Sequence, residues 1–362
     1  LKAKQKAFVN PLRRDLDHII SHTRGLWEEL RNQRIFITGG TGFFGCWLLE
    51  SFLWANQKLN LNASVLVLTR DLETFKKKAP HLAGNPSISF HTGDVRSFDF
   101  PEGIFDYIIH AAASFNANAN HDDPLEVFDT IVEGTRHTIE FGKHCRVKKF
   151  LLISSGAVYG RQNRTVPHIQ ENNYGFLDPT DRHSAYSEGK RAAELLTILN
   201  AGQYHFDAKI ARCFTFIGPY QALDGHWAIS DFIRDGLNGV PIIVKGDGTP
   251  YRSYLYAADL MIFLWTILFQ GKSCLPYNVG SDSEINIRSL AELVCAVCKI
   301  KKEIVILKKP VAKHRFDRYV PSIKRAQEEF NLKQEIGLQD AITRTIKFIK
   351  LRRGMDDKYH NW

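Results

Sequence analysis

The chain has 362 residues, long enough to predict one large domain with a smaller one attached, and its 44% hydrophobic and 24% charged content is that of an ordinary globular protein. No apolar run approaches the roughly 18 residues that cross a bilayer, and the first residues, LKAKQKAFVNPLRRDLDHII, hold no apolar signal core, so no membrane association and a cytoplasmic location are expected. The formal net charge of +9 is scattered apart from Lys76–Lys78, the Lys299–Lys302 region and KFIKLRRG, which argues against a nucleic-acid surface and suits an anionic, phosphorylated substrate.

In chain order, residues 1–33 read as a docked helical extension, with DLDHIISHTRGLWEEL the clearest amphipathic stretch. Short β-branched runs follow, RIFITG, SVLVLTR, ISFHTGD, FDYIIHAAA, KFLLISS and DAKIARCF, separated by helical stretches such as GCWLLESFLWANQKL and EVFDTIVEGTRHTIEFGKH. That alternation predicts a Rossmann-type, doubly wound parallel α/β sheet over 34–211. Residues 212–350 read mainly as a smaller α/β substrate domain, with 252–262 returning to the large one, and 351–362 as a tail. Cys295 and Cys298 form C-x-x-C, but they sit in SLAELVCAVCKI at helical spacing with no second cysteine or histidine pair. Buried helix face is the reading, and no metal site is expected.

RIFITGGTGFFG places Gly39, Gly42 and Gly45 between a strand and a helix, where backbone can approach a pyrophosphate and the helix N-terminus offers free N–H groups. A capping turn without ligand reads equally well from this stretch alone. Four more pieces follow in order: HTGDVRS with Asp94 and Val95, IIHAAA ending in Ala111, Ala112 and Ala113, ISSGAVYG with Ser155, and YSEGK with Tyr186 and Lys190. Tyr186 and Lys190 stand four apart, one turn from each other on a helix face. A free tyrosine ionises near pH 10. A nearby ammonium and an oxidised nicotinamide ring would lower that value and make a general acid or base, with Ser155 holding the same substrate oxygen.

Together these motifs resemble the extended short-chain dehydrogenase/reductases, the nucleotide-sugar epimerase and dehydratase family, from Arg34 to roughly Leu332. The resemblance implies catalytic roles for Ser155, Tyr186 and Lys190. It implies cofactor contacts from Gly39, Thr41, Gly42, Phe43, Phe44, Gly45, Thr69, Arg70, Asp94, Val95 and the three alanines, as well as Tyr186 and Lys190. Substrate contacts are implied for Ser114, Ser155, Thr215, Arg252, Arg315 and Arg318, with Arg252 and one of Arg315 and Arg318 gripping a diphosphate. Asn278–Gly280 reads as a turn. Relatives specific for NAD usually place Asp where Thr69 stands; Thr69 beside Arg70 favours NADP over NAD, and Asp71 is the residue that could reverse this. A homodimer is expected.

Three departures bear on the reaction. Gly156 and Ala157 stand where the family's 4,6-dehydratases carry Asp and Glu, and its decarboxylases keep the Glu, so both reactions lose support. Ile131 replaces an asparagine, with a strand-end packing role as its reading, and Thr215 replaces another. The expected activity is hydride transfer at C4 of a nucleotide-diphosphate sugar, as a 4-keto reductase. A 4-epimerase stands second. A redox-sensing regulator without chemistry and a 4,6-dehydratase with an unrecognised acid remain behind it.

Overall fold

A computed structural model describes residues 10–113, 122–160, 166–225, 227–299, 303–309 and 317–359. Seven strands form its central sheet: β1 (Arg34–Thr38), β2 (Ser64–Thr69), β3 (Ile88–Thr92), β4 (Tyr107–His110), β5 (Lys149–Ser155), β6 (Asp207–Cys213) and, from far along the chain, Pro276–Val279. Their order is β3-β2-β1-β4-β5-β6 followed by that last strand, and every pairing is parallel. The order reverses between β1 and β4, which opens a crevice at their carboxyl ends.

Alternation along each strand assigns the two faces. Ile35, Ile37, Val65, Val67, Ile109, Leu151 and Ile153 face one core, while Phe36, Leu66, Leu68, Ile108, Phe150 and Leu152 face the other. Both faces are apolar because helices cover both. Among the described residues, the α-helices up to β6 are α1 (Arg13–His22), α2 (Phe43–Leu59), α3 (Leu72–Lys78), α4 (Pro80–Ala83), α5 (Pro124–Cys145) and α6 (Ala185–Tyr204). Of these, α5 and α6 pack together over the second core.

Beyond β6 the chain builds small sheets and returns. β7 (Phe216–Ile217), α7 (Ala228–Leu237), β8 (Ile242–Val244), β9 (Tyr251–Ser253), β10 (Leu255–Tyr256) and α8 (Ala257–Gln270) lead to β11, the Pro276–Val279 strand that closes the main sheet. Then come β12 (Glu284–Asn286), α9 (Ile287–Cys298), β13 (Ile304–Ile306), β14 (Arg318–Tyr319), α10 (Lys324–Phe330) and α11 (Leu338–Tyr359). β12, β9 and β14 form a three-stranded sheet, and β13 pairs with β8. α11 runs continuously through residue 351, so the boundary expected there falls inside a helix. Ile131 lies within α5, buried beside Gly189 of α6, and not at a strand end. Cys295 and Cys298 sit on α9 as helical spacing predicts, and among the described residues no group of three or more His, Cys, Asp or Glu could hold a metal ion. Nor is any helix among them long and apolar enough to cross a membrane.

The N-terminal extension has a physical cause in α8. AADLMIFLWTILFQ is buried on every side from Ala257 to Phe269, so the sheet alone cannot cover it. α1 and a 3-10 turn at Trp27–Leu30 cover the rest: Leu16, Ile19, Trp27 and Leu30 are fully buried, with the Trp27 ring 4.7 Å from that of Trp265. Polar anchors fix the register, His18 Nε2 at 3.1 Å from Asp259 Oδ1 and Tyr256 donating to Asp15 at 2.8 Å.

Candidate active site

The glycine turn after β1 is dictated by close approaches. Gly39 has φ +71°, and a Cβ there would stand 2.6 Å from the Ala111 carbonyl. At Gly45 a Cβ would meet the Gly40 backbone at 2.2–2.3 Å. Gly42 is the N-cap of α2, and neither a side-chain cap nor an acid occupies the first turn, so the leading N–H groups face outward without a side-chain acceptor. Phe43 and Phe44 offer backbone at this turn, but their side chains pack inward, Phe44 edge-on to Phe216 at 5.2 Å. In front of the turn lies a cavity of about 270 Å³ bounded by Gly39, Thr41, Gly42, Thr69, Arg70, Asp94, Val95, Ala111, Ala112 and Ala113, with Leu68, Gly93 and Thr130. The free N–H groups of the turn suit a pyrophosphate and the Thr69–Arg70 edge an adenosine ribose, so these residues would hold that part of a dinucleotide.

At the tip of β2 the strand ends at Thr69, which is buried and accepts from the Asp71 N–H at 3.2 Å. Asp71 caps α3 by accepting from the Thr74 N–H (2.9 Å) and the Thr74 hydroxyl, and these bonds hold its carboxyl below the usual range. Its carboxylate is therefore committed to the helix start, and Arg70 is the exposed residue at the cavity rim. Asp94 receives Arg96 through two bonds, Nε at 2.9 Å and Nη2 at 3.0 Å, and Arg96 also reaches Glu126 at 2.7 Å. Asp94 thus lines the cavity as one half of an ion pair.

The three residues expected to be catalytic lie around the end of β5. Ser155 is the last residue of β5, and its Oγ accepts from the Ala157 N–H at 3.1 Å. Tyr186 lies at the start of α6, and burial pushes its hydroxyl up to about 12 against the opposing pull of Ser155. The lowering expected from Lys190 does not appear: burial decides the direction. Lys190 is itself almost fully buried and donates to the Ile153 carbonyl at 2.9 Å. Burial pulls its ammonium down to about 8, against the opposing pull of Cys213 and Glu194. Cys213 stands in register with Ser155 on β6, its thiol pushed above the ordinary range by burial. His110 lies between Thr38 (2.8 Å) and Thr135 (3.0 Å), and burial, with the Lys190 charge, pushes it down to about 3, so the ring is neutral.

Around this centre the sequence reading missed a buried polar network. Arg212 on β6 binds both Glu194 oxygens, with Nη2 at 2.7 Å, and donates to the Tyr159 hydroxyl at 3.0 Å. Tyr159 in turn donates to Asn278 Oδ1 at 2.6 Å, and Ser154 donates to Glu194 at 2.6 Å. Asn278 is fully buried and also donates to the Ile169 and Ser322 carbonyls, so it ties β11 to the site and is more than a turn residue. Glu194 had a signal in the sequence: it follows Lys190 by four residues, the same spacing that joins Tyr186 to Lys190.

On the substrate side, Arg252 on β9 is paired with Asp317 (2.8 Å). Arg318 on β14 binds Glu284 and lies over the Tyr251 ring at 4.3 Å. Both guanidiniums are held at one small sheet, each with an acidic partner. Among the described residues, the buried hydroxyls of Thr215 and Ser253 have no hydrogen-bond partner. Ser114 and Arg315 lie outside the described residues. Tyr319 was not foreseen: its hydroxyl stands 2.6 Å from where a Cβ on residue 156 would lie.

Comparison with known proteins agrees with this geometry. UDP-glucuronic acid decarboxylase 1 of Arabidopsis thaliana is 30% identical over 88% of this chain and 70% of its own length. UDP-glucuronic acid decarboxylase 6 of the same plant is 29% identical over 90% of this chain and 92% of its own. In fold, the chain resembles UDP-glucose 4-epimerase of Thermotoga maritima, solved with UDP-glucose (TM-score 0.74, 20% identity, 89% of this chain and 100% of that one). It also resembles UDP-glucuronic acid 4-epimerase of Bacillus cereus in complex with NAD (TM-score 0.74, 22% identity, 88% and 99%). A family model matches residues 35–280, a span that runs from the glycine turn through Ser155, Tyr186 and Lys190 to β11. On that match the chain belongs to the NAD dependent epimerase/dehydratase family.

Proposed function

We propose that the chain oxidises or reduces C4 of a nucleotide-diphosphate sugar, acting as a 4-keto reductase. The observation that carries this reading is the complete Ser155, Tyr186 and Lys190 set beside two positions, Gly156 and Ala157, that offer no acid to the carbon chain. Tyr186 moves the proton at the C4 oxygen, and Ser155 holds that oxygen. Lys190 places positive charge behind Tyr186. A nicotinamide dinucleotide, held by the glycine turn and the cavity before it, supplies the hydride chemistry. Arg252 and Arg318 suit the diphosphate, exchanging their acidic partners for phosphate oxygens. The orphan hydroxyl of Thr215 suits a sugar or phosphate oxygen, since a buried hydroxyl without a partner is costly.

The tip of β2 supports the reductase form over the epimerase. With Asp71 engaged as a helix cap, Thr69 and Arg70 make a site for a 2′-phosphate, and NADPH is the cofactor a net reduction would consume. NAD remains the alternative.

A second reading has its own observation. The curated relatives at 29–30% identity are UDP-glucuronic acid decarboxylases, which favours a reaction that also loses the C6 carboxylate. One set of incubations separates these. The purified protein is given a 4-keto nucleotide sugar with NADPH or NADH, UDP-glucose with NAD⁺, and UDP-glucuronate with NAD⁺, and products are followed by reduced-nicotinamide absorbance and NMR. The proposal expects loss of absorbance with the keto sugar. A C4 epimer without net cofactor change would establish the epimerase, and a pentose product with carbon dioxide the decarboxylase.

A further inference from the structure

Two of the three stretches that concentrate the positive charge, Lys76–Lys78 and KFIKLRRG, meet in space. Arg352 of α11 donates through Nη2 to the Lys78 carbonyl at 2.6 Å, across 274 residues of chain. Lys78, the last residue of α3, in turn directs its ammonium at the glycine turn and donates to the Thr41 carbonyl at 2.8 Å. Its neighbour Lys76 is engaged locally, with Glu73 at 2.7 Å.

The peptide that Lys78 reaches joins Thr41 to Gly42 and leads directly into α2. Its carbonyl accepts from Lys78 and, at 3.8 Å, from the Cys46 thiol, while its N–H is given to the Gly39 carbonyl at 3.1 Å. Both ends of that peptide are therefore committed, which fixes the direction in which α2 starts. The N–H groups that follow can meet a pyrophosphate only when that direction is held. Thr41, Gly42 and Gly39 line the cavity, whereas Lys78 and Arg352 stand behind its lining.

Arg352 is itself held in place. Its guanidinium lies over the Tyr220 and Phe348 rings, 5.8 and 5.9 Å from their centroids, and the Tyr220 hydroxyl donates to Glu50. Glu50, buried in α2, also accepts from Asn10 at 2.9 Å, and His81 Nε2 stands 2.7 Å from it. One acid of α2 thus joins the start of the described chain, α4 and the ring beneath Arg352.

We propose that Lys78 is a positioning residue of the dinucleotide site, holding the glycine turn from behind, and that α11 fixes Lys78 there through Arg352. The inference rests on the dinucleotide reading of the cavity. It adds that a helix from the far end of the chain sets how tightly the pyrophosphate is held. Since the pyrophosphate is common to both cofactors, Lys78 acts on NAD and NADP alike, whereas Arg70 distinguishes them.

Calorimetric titration with NAD⁺ and with NADP⁺ tests this in Lys78→Met, Lys78→Arg, Arg352→Met and the double variant Lys78→Met/Arg352→Met, with thermal unfolding followed alongside. Lys78→Met keeps an unbranched stem and removes the donor, and it is expected to weaken both dinucleotides about five- to tenfold. Lys78→Arg keeps a charged donor and is expected to stay within about twofold of wild type. Arg352→Met is expected to weaken both about two- to fivefold, and the double variant to bind no worse than Lys78→Met, because the tether then has nothing to hold. Unchanged affinity in Lys78→Met would overturn the proposal. So would a loss that Lys78→Arg fails to recover, losses that simply add in the double variant, or a loss that only follows the fraction of unfolded protein. If the wild-type chain binds neither dinucleotide, the cofactor reading itself fails; if it binds and Lys78→Met binds equally well, only the positioning role does.

Discussion

At Tyr186 two opposing effects meet: burial raises its hydroxyl to about 12, and among the described residues Ser155 pulls the other way. Tyr186→Phe is expected to retain the fold and lose at least about 100-fold in kcat, measured against wild type on the same sugar. Lys190 carries a price in stability for its position. Its value near 8 lies below its ordinary 10.5, so between those limits the unfolded chain binds the proton that the folded chain has released. Stability therefore rises with pH across that window, and the burden is fully present below pH 8. Lys190→Met is expected to abolish activity yet raise unfolding free energy by on the order of 2 kcal/mol at pH 7, the gain shrinking toward pH 10.5. Urea denaturation at several pH values checks this, and a variant less stable than wild type at pH 7 would refute it.

At the scale of elements, one helix cap decides what the cofactor pocket offers. The sequence could not tell whether Asp71 or Arg70 meets the ribose, because a shift of two residues in the strand end exchanges them. α3 begins at Leu72 with Asp71 as its cap, and that local preference removes the carboxylate from competition. Arg70→Ala is expected to weaken NADP⁺ binding about tenfold or more and leave NAD⁺ within about twofold, as calorimetric titration would read. Tighter binding of NAD⁺ than of NADP⁺ by the wild-type chain would count against the assignment. The α5 and α6 pair has its own unpaired surface: Leu125, Leu195 and Leu199 are each more than half exposed, and the last two share a face four residues apart.

The whole molecule depends on residues that precede its first strand. α8 is apolar all round, and the extension supplies the cover that the sheet cannot. Trp27→Ala removes a fully buried indole that packs, tilted, against Trp265 and donates to Thr23 at 2.8 Å. It is expected to cost about 3–5 kcal/mol, with the pH dependence of activity unchanged. A loss below about 1 kcal/mol in urea unfolding would mean that the extension is merely appended.

Six of the seven sheet strands, the glycine turn and the Tyr186–Lys190 pair were legible in the sequence because each rests on local rules: alternation at period two, a steric demand for glycine, and side chains one helical turn apart. Position in the family added roles to residues that those rules had already marked. Other features had no local signal. β11 joins the main sheet although the chain has built β7 to β10 in between, and with it Asn278 enters the network of Arg212, Glu194 and Tyr159. Tyr319 stands 163 residues from Gly156 along the chain and comes to lie beside it only because β14 pairs with β9. The sequence by itself determined which chemistry is present, since residue type and short spacing specify donors, acids and turns. Tertiary structure alone decided which groups share a proton, because that depends on burial and on strand register between segments that no local pattern connects.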